Sequence, residues 1–552
     1  MSNLLSQASL VMIPSGYKED VVYSQIPTSG AGDLSFTRAS NGTRINSAGL
    51  VEVVAWNLLS YSEEFNNTSG WLVQNGASIT ANSTTAPNGT TTADTISYGT
   101  SSISACYQSV TNGAGVFTIS VYAKCSSGTQ SFKFIIYNGI DGQVDSQVFT
   151  VTTEWQRFEK TYTVSQASNW YIANANDSAT RSIFIWGAQL NIGSTAKPYF
   201  PTTDRLNVPR LTYQNGGGGC PSLLLEKQST NEANYSQQFD DSYWYKNYQS
   251  VTANATTSPD GTQNADLLIP SAGTGDHYLL SQTVSNISGQ VVTLTLFVKK
   301  KENDYFYFGT GGASAFGAVV YQFSTNTFVV SGLSATATNF GNGWIRLSIT
   351  GTTGATDLRF LFTPTDSTGS RTYNANGTDG TYIWGAQSEA SSYPTSYIPT
   401  TSSSATRVAD ACFKTGISSL IGQTQGTIFW DINFVADGTE QTINISDGTN
   451  FIYLQKYTDN KIYTGVYNGS FVGSITSSVL TSGRKKIAFG YILNSLVLYI
   501  NGVLIGTDLT STIPTCDRLS LTVSNTGSIE TNNFILFPTK LTNAELASIT
   551  TL

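Results

Sequence analysis

The sequence is poor in the residues that most often carry chemistry. Its 552 residues include one histidine, two methionines and five cysteines. Zinc sites need His or Cys ligands at close spacing, and acid–base catalysis near neutral pH relies most often on histidine. The cysteines are odd in number and widely scattered, which is typical of a chain folded in a reducing compartment. We therefore expect no catalytic residues, no metal site and no cofactor, and we predict that the protein is not an enzyme.

Charged residues are also scarce, and the basic ones do not cluster. They make up 12% of the chain, about half of the usual share of roughly 25%, and the net charge is −8. Lys and Arg form runs only at residues 299–301 and 484–486, so nucleic-acid binding is not expected. No long apolar run is present, so no membrane insertion is expected. Residues 1–13 carry no basic residue before a short apolar patch, so we expect no Sec signal.

Aromatic and turn-forming residues are, in contrast, abundant in the chain. The chain has 29 Tyr, 27 Phe, 9 Trp and 50 Gly. Residues 117–123 and 292–298 alternate apolar and polar side chains, which indicates half-buried strands. Clusters of Gly, Asn, Asp and Ser separate such segments at short intervals. The sequence therefore predicts an all-β protein of tandem β-sandwich (jelly-roll) domains, followed by a third sandwich at the C-terminus.

An internal repeat defines the first two sandwiches. Matching positions recur in the same order, with small shifts in spacing that loop insertions explain. The repeat ends in Trp-Gly-Ala-Gln at 186–189 and 384–387, and in Tyr-x-Pro-Thr-Thr at 199–203 and 397–401. The paired positions at its start are Glu52 and Glu226, Asn57 and Asn231, Tyr61 and Tyr235, Ser62 and Ser236, Phe65 and Phe239, and Trp71 and Trp244.

The repeat sets the predicted domain boundaries. We expect an N-terminal arm, a jelly-roll module, a Gly-rich connector, a second jelly-roll module and a C-terminal sandwich. Their ranges are 1–56, 57–205, 206–230, 231–405 and 406–552. In the last domain, Asn501-Gly502 predicts a type I′ hairpin turn, and residues 541–549 predict a helix capped by Thr542 or Asn543.

Two motifs carry a resemblance to a known class of proteins. One is Thr37-Arg38-Ala-Ser-Asn-Gly-Thr-Arg44 with its counterpart Pro209-Arg210-Leu-Thr-Tyr213, and the other is the Trp-Gly-Ala-Gln and Tyr-x-Pro-Thr-Thr ending of each module. Both resemble patterns in virion fibre or appendage proteins of tailed bacteriophages, in the style of Bacteroidetes and crAss-like phages. The modules resemble carbohydrate-binding jelly rolls. The last unit, with Leu498-Tyr-Ile-Asn-Gly502, is similar to concanavalin A and laminin-G sandwiches.

The resemblance implies a structural virion protein, assembled in the cytoplasm of the host bacterium. Such a protein would be a head or tail fibre or a decoration protein, built as a homotrimer. Its N-terminal region would attach to capsid or tail proteins, and bacterial surface polysaccharide would be its candidate ligand. The alternatives are a dedicated receptor-binding, lectin-like adhesin, a capsule depolymerase, and a secreted bacterial adhesin, which would need an export signal.

Aromatic residues near the start of each module are the candidate glycan-binding residues. A ring face stacks on the C–H groups of a sugar, and neighbouring polar groups bind its hydroxyls. The candidates are Trp71, Tyr243, Trp244 and Tyr245. The alternative is that the two tryptophans, which occupy equivalent repeat positions, fill the cores, as we also expect of Trp186 and Trp384. For Glu52 and Glu226 we expect hydrogen bonding within the connector or an ion pair with a nearby arginine, and not catalysis.

Overall fold

The computed structural model describes residues 2–111, 115–175, 180–284, 289–354, 357–523 and 527–552. The chain divides into two compact units. The small unit comprises Val53–Leu206 with Asp260–Asn264, and the large unit comprises Met1–Glu52, Asn207–Pro259 and Ala265–Leu552. Both are built almost wholly of antiparallel strands. The predicted all-β class and the tandem β-sandwiches are confirmed.

The small unit holds the first jelly-roll module, made of two sheets around one core. The first sheet runs in the spatial order Gly142–Asp145, Gln130–Asn138, Ser168–Ala173, Ala105–Val110 and Leu72–Gln74, with Phe149–Val151 also paired to Gln130–Asn138. The second sheet runs in the order Gln156–Val164, Gly115–Lys124, Arg181–Ile192, Ala93–Tyr98 and Ser78–Thr84. Phe, Ile, Val and Trp side chains from both inner faces form the core.

The second jelly-roll module lies in the large unit and repeats this strand order. Its first sheet contains Trp244–Asn247, Tyr278–Ser281, Arg359–Thr365, Tyr305–Gly311, Ala318–Gln322 and Thr327–Ser331. Its second sheet contains Gln249–Thr256, Ala265–Pro270, Thr381–Glu389, Val291–Lys300, Trp344–Thr352 and Ser334–Gly341. Short ribbons pair Gly273–Asp276 with Thr372–Ala375 and Ser229–Asn231 with Ala405–Arg407. The last strand named in each sheet, Thr327–Ser331 or Ser334–Gly341, has no counterpart in the strand order of the first module.

The C-terminal sandwich is completed by strands from distant parts of the chain. One sheet contains Arg210–Thr212, Ser222–Glu226, Ser528–Phe537, Gln425–Phe434, Gly483–Ile492, Ser495–Ile500 and Val503–Asp508, with Leu10–Met12 paired to Ser528–Phe537. The other contains Tyr17–Lys18, Val21–Val22, Leu34–Thr37, Ala411–Thr415, Arg518–Val523, Gln441–Ser446, Phe451–Lys456, Ile462–Tyr467 and Phe471–Thr476. Strands Gly42–Ile45 and Val51–Val54 also lie in the N-terminal segment.

The segments expected to form an arm and a connector thus supply sheet strands. Leu10–Met12 and Ser222–Glu226 both pair with Ser528–Phe537, and Leu34–Thr37 pairs with Ala411–Thr415. They satisfy backbone groups that an open sheet edge would leave unpaired. Residues 1–56 and 206–230 therefore do not stand apart from the sandwiches.

The helices of the described residues are short, and the first and last of them contribute to an apolar cluster on the outer face of the sheet that contains Gln425–Phe434. They are Ser2–Leu5, the 3₁₀ turn Ser418–Leu420 and Asn543–Thr550. The last begins with a capping box between Thr542 and Glu545, as the Thr542 cap predicts. Asn501 and Gly502 both have positive φ (51° and 82°) between two paired strands, which confirms the predicted hairpin turn. Within the described residues, no helix is long and apolar enough to cross a membrane.

Each module contains a buried asparagine at the same position of the repeat. Its hydrogen bonds explain why both copies of the repeat have this residue. Asn231 forms four hydrogen bonds through its side-chain amide, and Asn57 forms the matching four in the small unit, all between 2.8 and 3.1 Å. In each module the amide joins the first residues to the Trp-Gly-Ala-Gln strand and to the Tyr-x-Pro-Thr-Thr segment. The Nδ2 groups donate to the carbonyls of Ala386 and Ile398, and of Ala188 and Phe200.

The glycine of Trp-Gly-Ala-Gln sits at a break in the strand register. Gly187 and Gly385 have φ of 64° and 65°, and in both modules the register shifts beside them. A Cβ on Gly385 would lie 2.9 Å from the ring of Phe297. Only glycine tolerates this conformation at so close an approach. The preceding Trp186 and Trp384 are buried, which confirms their expected core role.

Candidate functional site

The four glycan-binding candidates from the sequence divide between core and surface. Trp71 and Trp244 are 2% and 0% exposed, and Tyr243 is also buried. Each indole nitrogen donates to a backbone carbonyl of its own module, at 2.9 Å for Trp71 and 3.1 Å for Trp244. These three rings offer no free face to a ligand, which corrects their assignment as stacking platforms. Tyr245 points the other way along its strand and is 56% exposed.

Tyr245 belongs to a small aromatic surface on the second jelly-roll module. Its ring centroid lies 6.2 Å from that of Tyr278. The guanidinium of Arg371 lies over the rings of Tyr278 and Tyr307, at 5.2 and 5.7 Å. Arg371 also pairs loosely with Asp276, at 3.5 Å. Burial, above all, raises the pKa of Tyr278, so the phenol is neutral at physiological pH.

The two repeat glutamates form ion pairs, as expected. Arg44 Nη2 lies 2.9 Å from Glu52 Oε2, and Arg210 Nη1 lies 2.6 Å from Glu226 Oε2. Arg407 adds a second cation beside Glu226, at 3.2 Å. Burial opposes ionisation of Glu226, but Arg407 and Arg210 together lower its pKa to about 2. A carboxylate held ionised between two arginines serves the fold and has no proton to donate at neutral pH.

A larger aromatic surface lies on the C-terminal sandwich, on the outer face of the sheet that contains Phe451–Lys456. Ile443, Ile445, Ile452 and Leu454 point from this sheet into the core. The alternate side chains therefore face outward, and the strand register sets them in three parallel rows. The rows are Ser446, Phe451, Tyr467 and Phe471; Asn444, Tyr453, Gly465 and Ser474; and Thr442, Gln455, Tyr463 and Thr476.

Side chains from these rows line a surface groove of about 410 Å³, which we call the aromatic groove. Its rings are those of Phe451, Tyr453, Tyr457, Tyr463 and Phe471. Phe451 stacks nearly parallel on Tyr467 at 5.0 Å, and Tyr457 and Tyr463 meet edge to face at 5.5 Å. Phe471 is 67% exposed. Together with its neighbours it forms an aromatic patch, and contiguous exposed patches of this kind are typical of binding surfaces.

A glycine makes room for the central ring of the groove. Gly465 is the neighbour of Tyr453 on the next strand. A Cβ at Gly465 would lie 3.1 Å from the ring and from the hydroxyl of Tyr453, so the ring leans over the bare backbone. Burial raises the pKa of Tyr453, which keeps its hydroxyl a neutral donor and acceptor.

Polar side chains lie between the rings. The groove is also lined by Glu440, Thr442, Asn444 and Gln455. Gln455 Nε2 donates to the carboxylate of Glu440, and the hydroxyl of Tyr463 donates to Asp459 at 2.9 Å, which fixes the orientation of both side chains. Among the described residues, the groove lining contains a carboxylate but no lysine or arginine. The arrangement offers apolar ring faces with hydrogen-bonding groups at their edges.

The sequence signal for the groove was present but ambiguous. Residues 451–455 read Phe-Ile-Tyr-Leu-Gln, so both faces of the strand carry large apolar groups. Alternation alone therefore does not say which set is buried. The sheet pairing decides it, because Ile452 and Leu454 meet the core. Within the described residues, no group of three or more His, Cys, Asp or Glu side chains is placed to hold a metal ion.

Comparisons with known proteins give weak similarity only. No protein-family model and no curated protein matches the sequence. Among solved structures, the chain is similar to the tandem CBM22-1–CBM22-2 domain of Paenibacillus barcinonensis Xyn10C, at 15% identity over 61% of this chain and 98% of that chain, with a TM-score of 0.22. It is also similar to the Ruminococcus gnavus IT-sialidase CBM40 bound to α2,3-sialyllactose, at 17% identity over 25% and 91%, with a TM-score of 0.22.

A third similarity concerns a laminin. Domains LG4-5 of the mouse laminin α1 chain match at 12% identity over 48% of this chain and 87% of that chain, with a TM-score of 0.16. We draw neither a ligand nor a common ancestry from similarities at these TM-scores. The assignment of function therefore depends on the surfaces of the protein itself.

Proposed function

We propose that the protein is a non-catalytic glycan-binding protein and that the aromatic groove is its principal binding site. One observation carries the proposal: five aromatic rings border a groove of about 410 Å³ whose other lining groups are a carboxyl, two amides and a hydroxyl. Pyranose rings present apolar C–H faces and equatorial hydroxyls, which match ring faces and polar edges respectively.

The charge of the groove favours neutral sugars. Glu440 would repel a carboxylate-bearing or sulfated sugar, and the part of the lining that the structure describes offers no lysine or arginine to offset that repulsion. An apolar peptide would cover the side chains of Asn444 and Thr442 without offering them hydrogen-bond partners, which costs free energy. A neutral oligosaccharide satisfies both the rings and the polar groups.

The finer proposal is that this glycan binder is a tailed-phage virion appendage. It is supported by the Arg38 and Arg210 motifs and by the ending of each module, which resemble patterns of such proteins. A homotrimeric fibre or decoration protein would present several grooves at once, which raises the avidity of a weak glycan site. The solution mass tests this: the monomer is 59.2 kDa, and a stable mass near three times that supports the fibre, whereas a monomer contradicts it.

A glycan array with matched variants tests the binding site. We expect Tyr453→Ala and Phe471→Ala each to weaken neutral-glycan binding about tenfold, because each removes a stacking ring. Phe413→Ala is the control, since Phe413 is also a solvent-exposed ring of this sheet but lies outside the groove lining. Equal binding by all three variants and the native protein would contradict the groove assignment.

A further inference from the structure

A larger cleft, of about 890 Å³, lies elsewhere in the large unit. It is lined by the second jelly-roll module, by the C-terminal sandwich and by the segments around Thr43 and Thr212. Its volume falls within the usual range for ligand sites of about 300–1,000 Å³, and such sites often lie where domains meet. Serine and threonine are the commonest residues of its lining, whereas aromatic residues are the commonest in the aromatic groove.

The wall from the jelly-roll module is a ladder of hydroxyl groups. Ser334 faces Thr350 and Thr336 faces Ser348 across two paired strands. Ile345, Leu347 and Ile349 point into the core, so Ser348 and Thr350 point the other way, towards the cleft. We define Ser334, Thr336, Ser348 and Thr350 as the hydroxyl ladder.

The ladder has unused hydrogen-bonding capacity. Thr350 bonds to Thr293 at 2.8 Å, but Ser334, Thr336 and Ser348 make no side-chain hydrogen bond to any described residue. Ser348 is only 4% exposed, yet it lines the cleft. Ser334 and Thr336 are exposed, and all three hydroxyls can donate and accept hydrogen bonds with a ligand that enters the cleft.

The charged groups of the cleft are occupied within the protein. Arg44 pairs with Glu52, Glu226 pairs with Arg210, and Asp437 pairs with Lys456. Arg346 donates to the carbonyl of Thr395 at 2.7 Å. Glu530 accepts from Asn433 at 2.7 Å, and burial raises the pKa of Glu530. Three of these groups are thus neutralised by ion pairs within the protein, and the free hydroxyl groups of the lining suit a neutral polyhydroxylated ligand.

The ladder depends on a strand that the first module lacks. Ser334–Gly341 is the outermost strand of its sheet, and the described strands of the small unit include no counterpart beyond Gln156–Val164. This added strand supplies Ser334 and Thr336. The second module therefore carries a polar wall that duplication alone did not provide.

We propose that the cleft is a second binding site, for a neutral oligosaccharide held by hydrogen bonds to the hydroxyl ladder. It is independent of the aromatic groove in position and in chemistry, since the groove binds through ring stacking. Two sites of this kind in one chain would let the protein hold separate segments of one polysaccharide.

The test uses the full-length chain with the groove disabled by Tyr453→Ala and Phe471→Ala together. An array of neutral oligosaccharides then reports on the remaining site. We expect this protein to retain binding to at least one array member, and the additional pair Thr336→Val and Ser348→Ala to weaken that binding about tenfold. Thr274→Val, on an exposed strand outside the cleft, is the control and should change nothing. Unchanged melting temperatures would show that all variants fold.

The outcomes separate the two proposals. If the native protein binds and the groove-disabled protein binds nothing, the cleft proposal is overturned and the groove proposal stands. If binding survives loss of the groove but is insensitive to the ladder variants, the cleft proposal is again overturned. If ladder variants weaken binding while groove variants do not, the cleft proposal stands and the groove proposal fails. No binding by the native protein overturns both.

Discussion

Arg210 and Glu226 form a fully buried ion pair, with Nη1 and Oε2 2.6 Å apart. The second terminal nitrogen of Arg210 donates to Asp410, which also accepts from Arg38. Arg407 closes the network beside Glu226. The five residues come from the N-terminal segment, the connector between the modules and the segment that enters the C-terminal sandwich. The Arg38 motif and its counterpart around Arg210 thus meet in one buried cluster of charges.

Removing Arg210 should destabilise the large unit strongly. Arg210→Met would leave Glu226 and Asp410 buried with less compensation, at an expected cost of about 3–5 kcal/mol. Chemical denaturation followed by tryptophan fluorescence measures the change. The control is Arg518→Met, which breaks an exposed pair with Asp517 and should cost less than about 1 kcal/mol. Similar losses for the two variants would show that the buried cluster adds nothing to stability.

The same cluster predicts a loss of stability in acid. The pKa of Glu226 is lowered in the fold from its ordinary 4.5 to about 2, chiefly by Arg407 and Arg210 acting against burial. A lowered pKa stabilises the fold above about pH 4.5, and the gain disappears as the pH falls towards 2. We expect native and Glu226→Gln proteins to differ most at neutral pH and to converge in acid. Denaturation midpoints of both proteins, measured across this pH range, test the prediction. If Glu226 were not responsible, the difference between the two midpoints would stay constant with pH.

The glycine of the Trp-Gly-Ala-Gln motif should resist substitution. Gly385→Ala places a Cβ in a positive-φ conformation and 2.9 Å from Phe297, so we expect a loss of more than about 2 kcal/mol. Gly469→Ala is the matched control, because its φ is 73° but its Cβ would meet no atom within 4 Å. That variant should lose only about 1–2 kcal/mol from the backbone alone. Thermal denaturation gives the melting temperature of each variant. Equal decreases for the two variants would mean that the contact with Phe297 does not affect stability.

The two repeat asparagines should act independently, each on its own module. Asn231→Asp replaces a donor that faces two carbonyls with a charged acceptor, so the second module should lose both of these hydrogen bonds. We expect the free energy of unfolding to fall by about 3 kcal/mol. Asn57→Asp should do the same to the first module. Hydrogen exchange resolved by peptide would locate each loss of protection. Protection lost in the other module as well would contradict an independent role.

Parts of the site could be read from the sequence, and parts could not. The sequence analysis treated Trp244 and Tyr245 alike as glycan-binding candidates, and only the structure separated the buried ring from the exposed one. For residues 451–455 both faces are apolar, so the groove became visible only when Ile452 and Leu454 were seen to meet the core. Rings on adjacent strands, such as Phe451 and Tyr467 of one row, come together through strand pairing.

By itself, the sequence determined what depends on local pattern and duplication. Alternation identified the strands, the repeat identified two equivalent modules, and the Glu52 and Glu226 positions pointed to arginine partners. Tertiary structure alone decided that Leu10–Met12 and Ser222–Glu226 complete the sheet of Ser528–Phe537. It also decided which aromatic rings stay in solvent. The physical reason is that backbone pairing between distant strands depends on register and edge availability, which short-range side-chain patterns do not encode.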